Sequence, residues 1–401
     1  MTPPAGDGKR APRAILTFPG AKDQTAPMKA QPPPASRFSN SNLSDASLSR
    51  RHFLWTAAGV IGAAGLVRAD EPVAQPASAS GPAAKRSAVA IAAGQSRREN
   101  ICQSLVAIED RIMPVLKTKQ SVVIKPNIVN TGNQLASTHV DALHGILDFL
   151  GPRFKGPVVI AEASAGFTTE GYDHFHYHDV VAEHKPLAIS LVDLNEEGKY
   201  LTHTILNGDL HAMPVRLAAR LLDPDAFVMC SAILKTHNAV VATLSIKNMA
   251  LGAPLHSPQK ETRGWNDKRL YHGGVRQTHV DIMLTAQRLQ PFWGAAVIDG
   301  YEGMQGDGPN DGTPVPSRLA IASTDYLAAD RVGMAAMGVD ASWVGYLQFC
   351  AQAGLGQADL SQIELRGARL AEVTKKYQMH PNLEHELKWM GPMTEVPEKL
   401  G

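Results

Sequence analysis

The feature that most constrains this chain is Phe227–Leu234, an unbroken run of apolar and small residues within DAFVMCSAILKTHNAVVATLSIKNMALG at 225–252. Its length and composition suit a strand buried on both faces of a parallel sheet. Polarity then changes abruptly, to Lys235, Thr236, His237 and Asn238, and soon after to Thr243, Ser245, Lys247 and Asn248. A buried strand that ends in a cation, an imidazole and an amide carries polar chemistry to its carboxyl end, where open α/β sheets bind ligands. The stretch Val240–Leu251 reads as a helix on which Thr243 and Lys247, four apart, share a face. Isolated lysines are usually solvated. Two of them beside a histidine and an asparagine in so apolar a setting point instead to a site.

The rest of the chain repeats the pattern. Apolar strands are expected at Ser87–Ala93, Ser121–Ile124, Pro157–Ala161, Leu187–Leu194, Gly294–Ile298, Arg318–Ala322 and Ile363–Leu365, with helical spacing between them at Glu99–Lys117, Thr138–Leu150, Gln277–Leu289 and Asp325–Met337. A short hairpin is expected at Tyr200–Leu206 and Ala212–Val215, and a brief helix at Arg216–Leu222. The expected fold is α/β, a mostly parallel sheet with helices on both faces, preceded by a disordered signal and linker region. Several strands end in polar groups: Lys125 and Asn127, then Glu162, then Lys235 and His237, then Asp299 and Glu302. Placed along one sheet edge, Lys125, Lys235 and Lys247 would hold an anion, with Asn127, Glu162, Thr243 and Asn248 lining the site. His237 would move a proton, its ordinary pKa lying near neutrality.

The expected catalytic set is therefore His237, Lys235 and Lys247. Residues 299–309 read as a glycine-rich loop in which Asp299, Glu302 and Asp307 could hold a divalent cation through oxygen. His174 and His178, four apart on an expected helix over Tyr172–His184, have metal-ligand spacing, with an exposed polar face as the plainer reading. Residues 253–274, with His256, Lys260, Arg263, Lys268 and His272, read as a loop that either closes over an anion or is simply solvated.

Composition narrows the class. The 401 residues are 44% hydrophobic with a formal net charge of +1, so neither disorder nor nucleic-acid binding is indicated. Cys102, Cys230 and Cys350 are far apart, and no iron–sulfur cluster is expected. The dinucleotide, P-loop and serine-hydrolase signatures are missing. Near the N-terminus, Ser49-Arg50-Arg51-His52-Phe53-Leu54 is a twin-arginine motif, followed by the uncharged segment Phe53–Val67 and by Val67-Arg68-Ala69, the form of a signal-peptidase site. Residues 1–69 then form a signal with a long leading region, 70–87 a Pro/Ala/Ser linker, 88–370 the α/β domain and 371–401 a polar tail. The twin-arginine translocase would be a partner during export to the periplasm or beyond, with membrane anchoring if the signal stays uncleaved.

The motifs VVIKPN at 122–127, AEAS at 161–164, ILKTHNAVVATLSIKNMALG at 233–252, VIDGYEGMQGDGP at 297–309 and STDYLAADRVG at 323–333 resemble, in this order, the domain of unknown function family numbered 362. The resemblance runs from about Ser87 to Gly367 and implies an α/β domain of bacterial or archaeal origin. Some relatives carry ferredoxin-like cysteine clusters, which this sequence lacks. The readings carried forward are an exported enzyme acting on a small anionic substrate, with or without a metal; a periplasmic binding protein without chemistry; and a redox-associated protein.

Overall fold

A computed structural model describes residues 86–261 and 264–391. The signal segment and nearly all of the linker lie outside these residues, as does Arg263 of the proposed closing loop. Among the described residues no helix is long and apolar enough to cross a membrane.

The chain runs β1 (Ala88–Ala93), α1 (Arg97–Val106), α2 (Glu109–Leu116), β2 (Ser121–Lys125), α3 (Val140–Leu150), β3 (Val158–Glu162), α4 (Thr168–His174), α5 (Tyr177–Glu183), β4 (Ile189–Asp193) and α6 (Leu194–Glu197). It continues through the hairpin β5 (Tyr200–Leu206) and β6 (Ala212–Ala218), then β7 (Ala226–His237), β8 (Val241–Thr243), α7 (Ser245–Gly252), α8 (Val275–Leu289), β9 (Trp293–Gln305) and β10 (Thr313–Val315). The last elements are β11 (Leu319–Ser323), α9 (Tyr326–Ala336), α10 (Gly345–Gln352), β12 (Glu364–Gly367), α11 (Leu370–Val373) and α12 (Leu383–Glu386).

The main sheet has the order β12-β1-β11-β9-β7-β2-β3-β4. Pairing is parallel throughout except around β11, which is antiparallel to both neighbours, and at the short additions β8 and β10. Alternation along the strands feeds two cores. Val123, Val159, Val228 and Ile298 face one core with Leu244, Ile282, Ala286 and Leu327, whereas Val122, Ile124, Phe227 and Met229 face the other with Ile101, Ile112, Leu143 and Leu147. Helices thus cover both faces, as expected for strands that are apolar on both sides.

From β2 the chain moves to β3 and β4 on one side and later returns to β7 on the other. The sheet order therefore reverses between β2 and β7, which opens a crevice beyond the carboxyl ends of these strands.

Several local expectations are corrected. Glu99–Lys117 is two helices, since the chain breaks at Ala107–Ile108 and restarts on the acids Glu109 and Asp110. Strand β6 runs to Ala218, and a 3₁₀ turn replaces the brief helix expected from Arg216. Strand β7 continues through Lys235, Thr236 and His237, because β8 folds back on it and pairs Lys235 with Thr243. The expected helix from Val240 consequently begins only at Ser245, and Thr243 and Lys247 lie on different elements. Residues 299–305 belong to β9 rather than to a loop. His176, with φ of 59°, separates α4 from α5 and so removes the common helical face of His174 and His178.

Candidate functional site

Three parallel strands deliver the centre of the site. Lys125 ends β2, Glu162 ends β3, and Lys235 lies near the end of β7. Lys125 is 1% exposed and Glu162 2%, and they form an ion pair with Nζ 3.0 Å from Oε1. Lys125 Nζ also donates to Pro126 O at 2.9 Å and to Asn248 Oδ1 at 3.1 Å. Glu162 further accepts the backbone N–H groups of Ile128 and Ala163. A cation and two amides thus satisfy this buried carboxylate.

Asparagines extend the network sideways. Asn127 Nδ2 donates to Asn248 Oδ1 at 2.8 Å, and Asn127 Oδ1 accepts from Lys235 Nζ at 2.8 Å. The hydrogen-bonded chain Glu162–Lys125–Asn248–Asn127–Lys235 thus crosses three strand ends and α7. Lys235, fully buried, completes its shell with the carbonyls of Ala136 and Pro309. Gly252 is required by this packing, because a Cβ there would collide with Lys125 Cε and Nζ.

These residues border a cavity of about 70 Å³. Lys125, Asn127, Glu162, Lys235, Thr243, Lys247 and Asn248 all line it, so the structure gathers every residue expected to bind substrate, together with two of the three expected catalytic residues. Lys268 joins them from a 3₁₀ turn over Asp267–His272, donating to Leu251 O at 3.1 Å and Gly252 O at 3.2 Å. Sequence alone placed Lys268 only within a long polar segment; its spacing from Lys247 carries no signal of proximity.

The electrostatics are unusual. Glu162 neutralises Lys125, but among the described residues Lys235, Lys247 and Lys268 have no carboxylate within ion-pair distance. Burial, reinforced by Lys247 and Lys125, holds Lys235 well below the ordinary lysine range. Burial, with Lys125 beside it, lowers Lys247 to about 7. Burial lowers Lys268 to about 7. Such clustered cations are costly unless an anion joins them.

His237 is buried but does not line the cavity, and its Nδ1 accepts the Ala239 N–H at 3.0 Å. Burial and the nearby Lys247 and Lys235 hold its pKa well below the usual imidazole value. The hairpin between β7 and β8 turns the ring away, which the linear sequence could not reveal.

The three candidate metal carboxylates are not brought together. Asp299 is buried and paired with Arg97 Nε at 3.1 Å, Glu302 is exposed, and Asp307, 64% exposed, lies 3.9 Å from His380 Nε2. Asp299 and Glu302 lie on β9, which runs to Gln305, and Asp307 lies beyond its end. Among the described residues no group of three His, Cys, Asp or Glu side chains is placed to hold a metal. Asp299 and Glu302 instead border a second cavity of about 280 Å³ with Arg97 and His139, on the other side of the 3₁₀ turn Gln134–Ala136. His178 Nε2 pairs with Asp173 at the surface.

His256 and residues 265–267, on the described parts of the long segment after α7, are pinned. Asp267 accepts from Arg216 Nε and Nη2, each at 3.0 Å, Trp265 stacks on that guanidinium, and His256 bridges Asn266 in an antiparallel pair.

The fold and site together define an α/β domain with a lysine-lined cavity at the topological switch point of a mostly parallel sheet. Residues 122–335 match the family model described as "Domain of unknown function (DUF362)", and the chain belongs to that family. A comparison with curated proteins finds no match. A crystal structure of a Thermotoga maritima protein, from a structural genomics consortium, superposes with a TM-score of 0.38 at 9% identity. The match covers 64% of this chain and 59% of the Thermotoga protein, so this chain spans less than two thirds of that protein's length.

Proposed function

We propose that this protein is an exported enzyme acting on a small anionic substrate bound in the cavity between β2, β7 and α7. The carrying observation is the set of lysines, buried Lys235 and Lys247 and half-buried Lys268, that face one cavity and, among the described residues, have no carboxylate of their own. An anion entering the cavity replaces the lost hydration of these amines and recharges them. Lys125 and Glu162, neutral as a pair, fix the Asn248–Asn127 relay that positions Lys235. The cavity of about 70 Å³ sets the size of the ligand. At roughly 10–15 Å³ per water, it holds about five waters' worth of atoms, the bulk of a two- or three-carbon acid or a phosphate. Export is supported by the twin-arginine segment at 49–54.

The lining of the cavity, which does not include His237, favours a second reading, in which the same site binds the anion without proton transfer by an imidazole. Turnover separates the two.

Calorimetric titration of the protein with inorganic phosphate and with acetate tests the shared premise. Binding needs protonated amines, and Lys247 and Lys268 discharge as pH rises through about 7. Affinity is expected to fall about tenfold from pH 6 to pH 8.5, with proton uptake visible as a dependence of binding heat on the buffer. An affinity indifferent to pH, or one that survives Lys235→Met, would sink the reading.

A further inference from the structure

We propose that Lys247 is a covalent nucleophile whose amine condenses with the carbonyl group of a small oxo-acid anion to form a protonated imine. This inference rests on the anion-binding reading of the same cavity and names the chemistry done there.

Partnering separates the four cavity lysines. Lys125 donates to Pro126 O, Glu162 and Asn248, and Lys235 to Asn127, Ala136 O and Pro309 O. Lys268 donates to two carbonyls at the end of α7. These three amines are tied up as hydrogen-bond donors and held in place. Lys247 lines the same cavity, is 8% exposed, and has no hydrogen-bond or ion-pair partner among the described residues. An amine needs a free lone pair to attack carbon, and a buried amine beside other cations and without an acceptor keeps it. The charged and titratable groups in its surroundings are Lys125, Lys235, Lys268, Glu162, His237 and His272. Only Glu162 is an acid, and it is already engaged by Lys125.

A second, independent feature points into the same space. Thr243 lines the cavity, is 1% exposed, and its Oγ1 has no hydrogen-bond partner. A buried hydroxyl left without a partner costs about 1–3 kcal/mol, and a ligand oxygen is the group it lacks. Lys247 and Thr243 therefore supply a nucleophile and a donor for the oxygen under attack, while Lys235 and Lys268 face the carboxylate end.

The step balances without an oxidant or reductant. The Lys247 Nζ lone pair adds to the carbonyl carbon, the carbonyl oxygen takes a proton, and the carbinolamine forms. Loss of that oxygen as water leaves a C=N bond carrying one proton and one positive charge. The net change is amine, carbonyl and one proton going to iminium and water. The iminium withdraws electrons from the carbon next to it, which opens cleavage of a C–H or C–C bond at that carbon.

Trapping tests the inference on the whole chain. The protein is incubated at pH 7 with glyoxylate and sodium cyanoborohydride, digested, and mapped by mass spectrometry. A carboxymethyl adduct is expected on Lys247, formed at least about tenfold faster than on the exposed Lys155, Lys185 and Lys199, given the larger neutral fraction of its amine. Inorganic phosphate, which binds but has no carbonyl, is expected to slow the labelling by competition. Lys247→Arg is expected to remove the site-specific adduct without changing the slow labelling of Lys155, Lys185 and Lys199. Labelling spread evenly over surface lysines, or centred on Lys125, Lys235 or Lys268, overturns the nucleophile assignment. Phosphate binding without any Lys247 adduct also overturns it while leaving the anion site standing, and loss of both overturns both.

Discussion

At the residue scale, two buried lysines of one cavity have opposite chemistry because their neighbours differ. Lys125 keeps a carboxylate, a carbonyl and an amide oxygen as partners, whereas Lys247 keeps none. Removing the acid from the first pair leaves an uncompensated buried amine. Glu162→Gln is therefore expected to destabilise the domain by about 3–5 kcal/mol, read from the urea midpoint; a change of under about 1 kcal/mol would show that the pair carries little of the fold. The second lysine runs the other way. Its folded-state pKa, about 7, lies below the ordinary 10.5, so its contribution is greatest above pH 10.5 and is lost as pH falls through about 7. Lys247→Met removes a buried amine and that loss together. The melting temperature at pH 7 is expected to rise by about 2–4 °C, and the rise of wild-type stability between pH 7 and 9.5 to flatten, while phosphate binding disappears. A lower melting temperature in the variant would mean that Lys247 has a stabilising partner.

At the element scale, the site depends on where α7 starts. Asp330, on α9, accepts the Ser245 N–H at 2.8 Å, the Ser245 hydroxyl and the Ile246 N–H at 3.0 Å, satisfying the first amides of α7. Asp330 thus caps the helix that carries Lys247 and Asn248. Burial raises its pKa to about 7, so its contribution is greatest below the ordinary carboxylate pKa and is lost as pH climbs through about 7. Asp330→Asn keeps one acceptor and loses the other. A loss of about 1–3 kcal/mol is expected, together with weaker phosphate binding, checked by urea unfolding and calorimetry on the same sample; unchanged binding would show that α7 holds its place without this cap. Buried strands were legible from apolar runs, and the central one stands. The ends of β7 and β9 were not, because Lys235–His237 are held in the sheet by the hairpin partner β8 and Gly303–Gln305 by β10.

At the scale of the whole molecule, residues 377–389 contribute buried side chains to the domain. Tyr377, Glu386 and Trp389 are buried, and Glu386 Oε2 accepts the Val241 N–H at 2.5 Å. Val241 has φ of 70°, a conformation that a β-branched residue rarely holds, so this bond supports the turn leading to Thr243. Glu386 thus braces the turn that leads to one wall of the cavity. The proposed export signal is tested at Arg50 and Arg51. Replacement of Arg50 and Arg51 by Lys is expected to keep the protein in the cytoplasmic fraction while the unaltered chain appears in the periplasm, followed by immunoblot of fractionated cells. Periplasmic recovery of both forms would rule out the twin-arginine route.

The sequence by itself determined the sheet class, the order of most elements and the polar strand ends, because burial on both faces leaves a continuous apolar run that local spacing records. It also named Lys125, Asn127, Glu162, Lys235, Thr243, Lys247 and Asn248 as residues of one site, since parallel strands deliver their carboxyl ends to one edge. Tertiary structure alone decided which charges meet. It paired Lys125 with Glu162, left Lys247 without an acceptor, brought in Lys268, turned His237 aside and spread Asp299, Glu302 and Asp307 apart. Those outcomes depend on strand order, hairpin return and helix capping, contacts between residues far apart in the chain that no local pattern encodes.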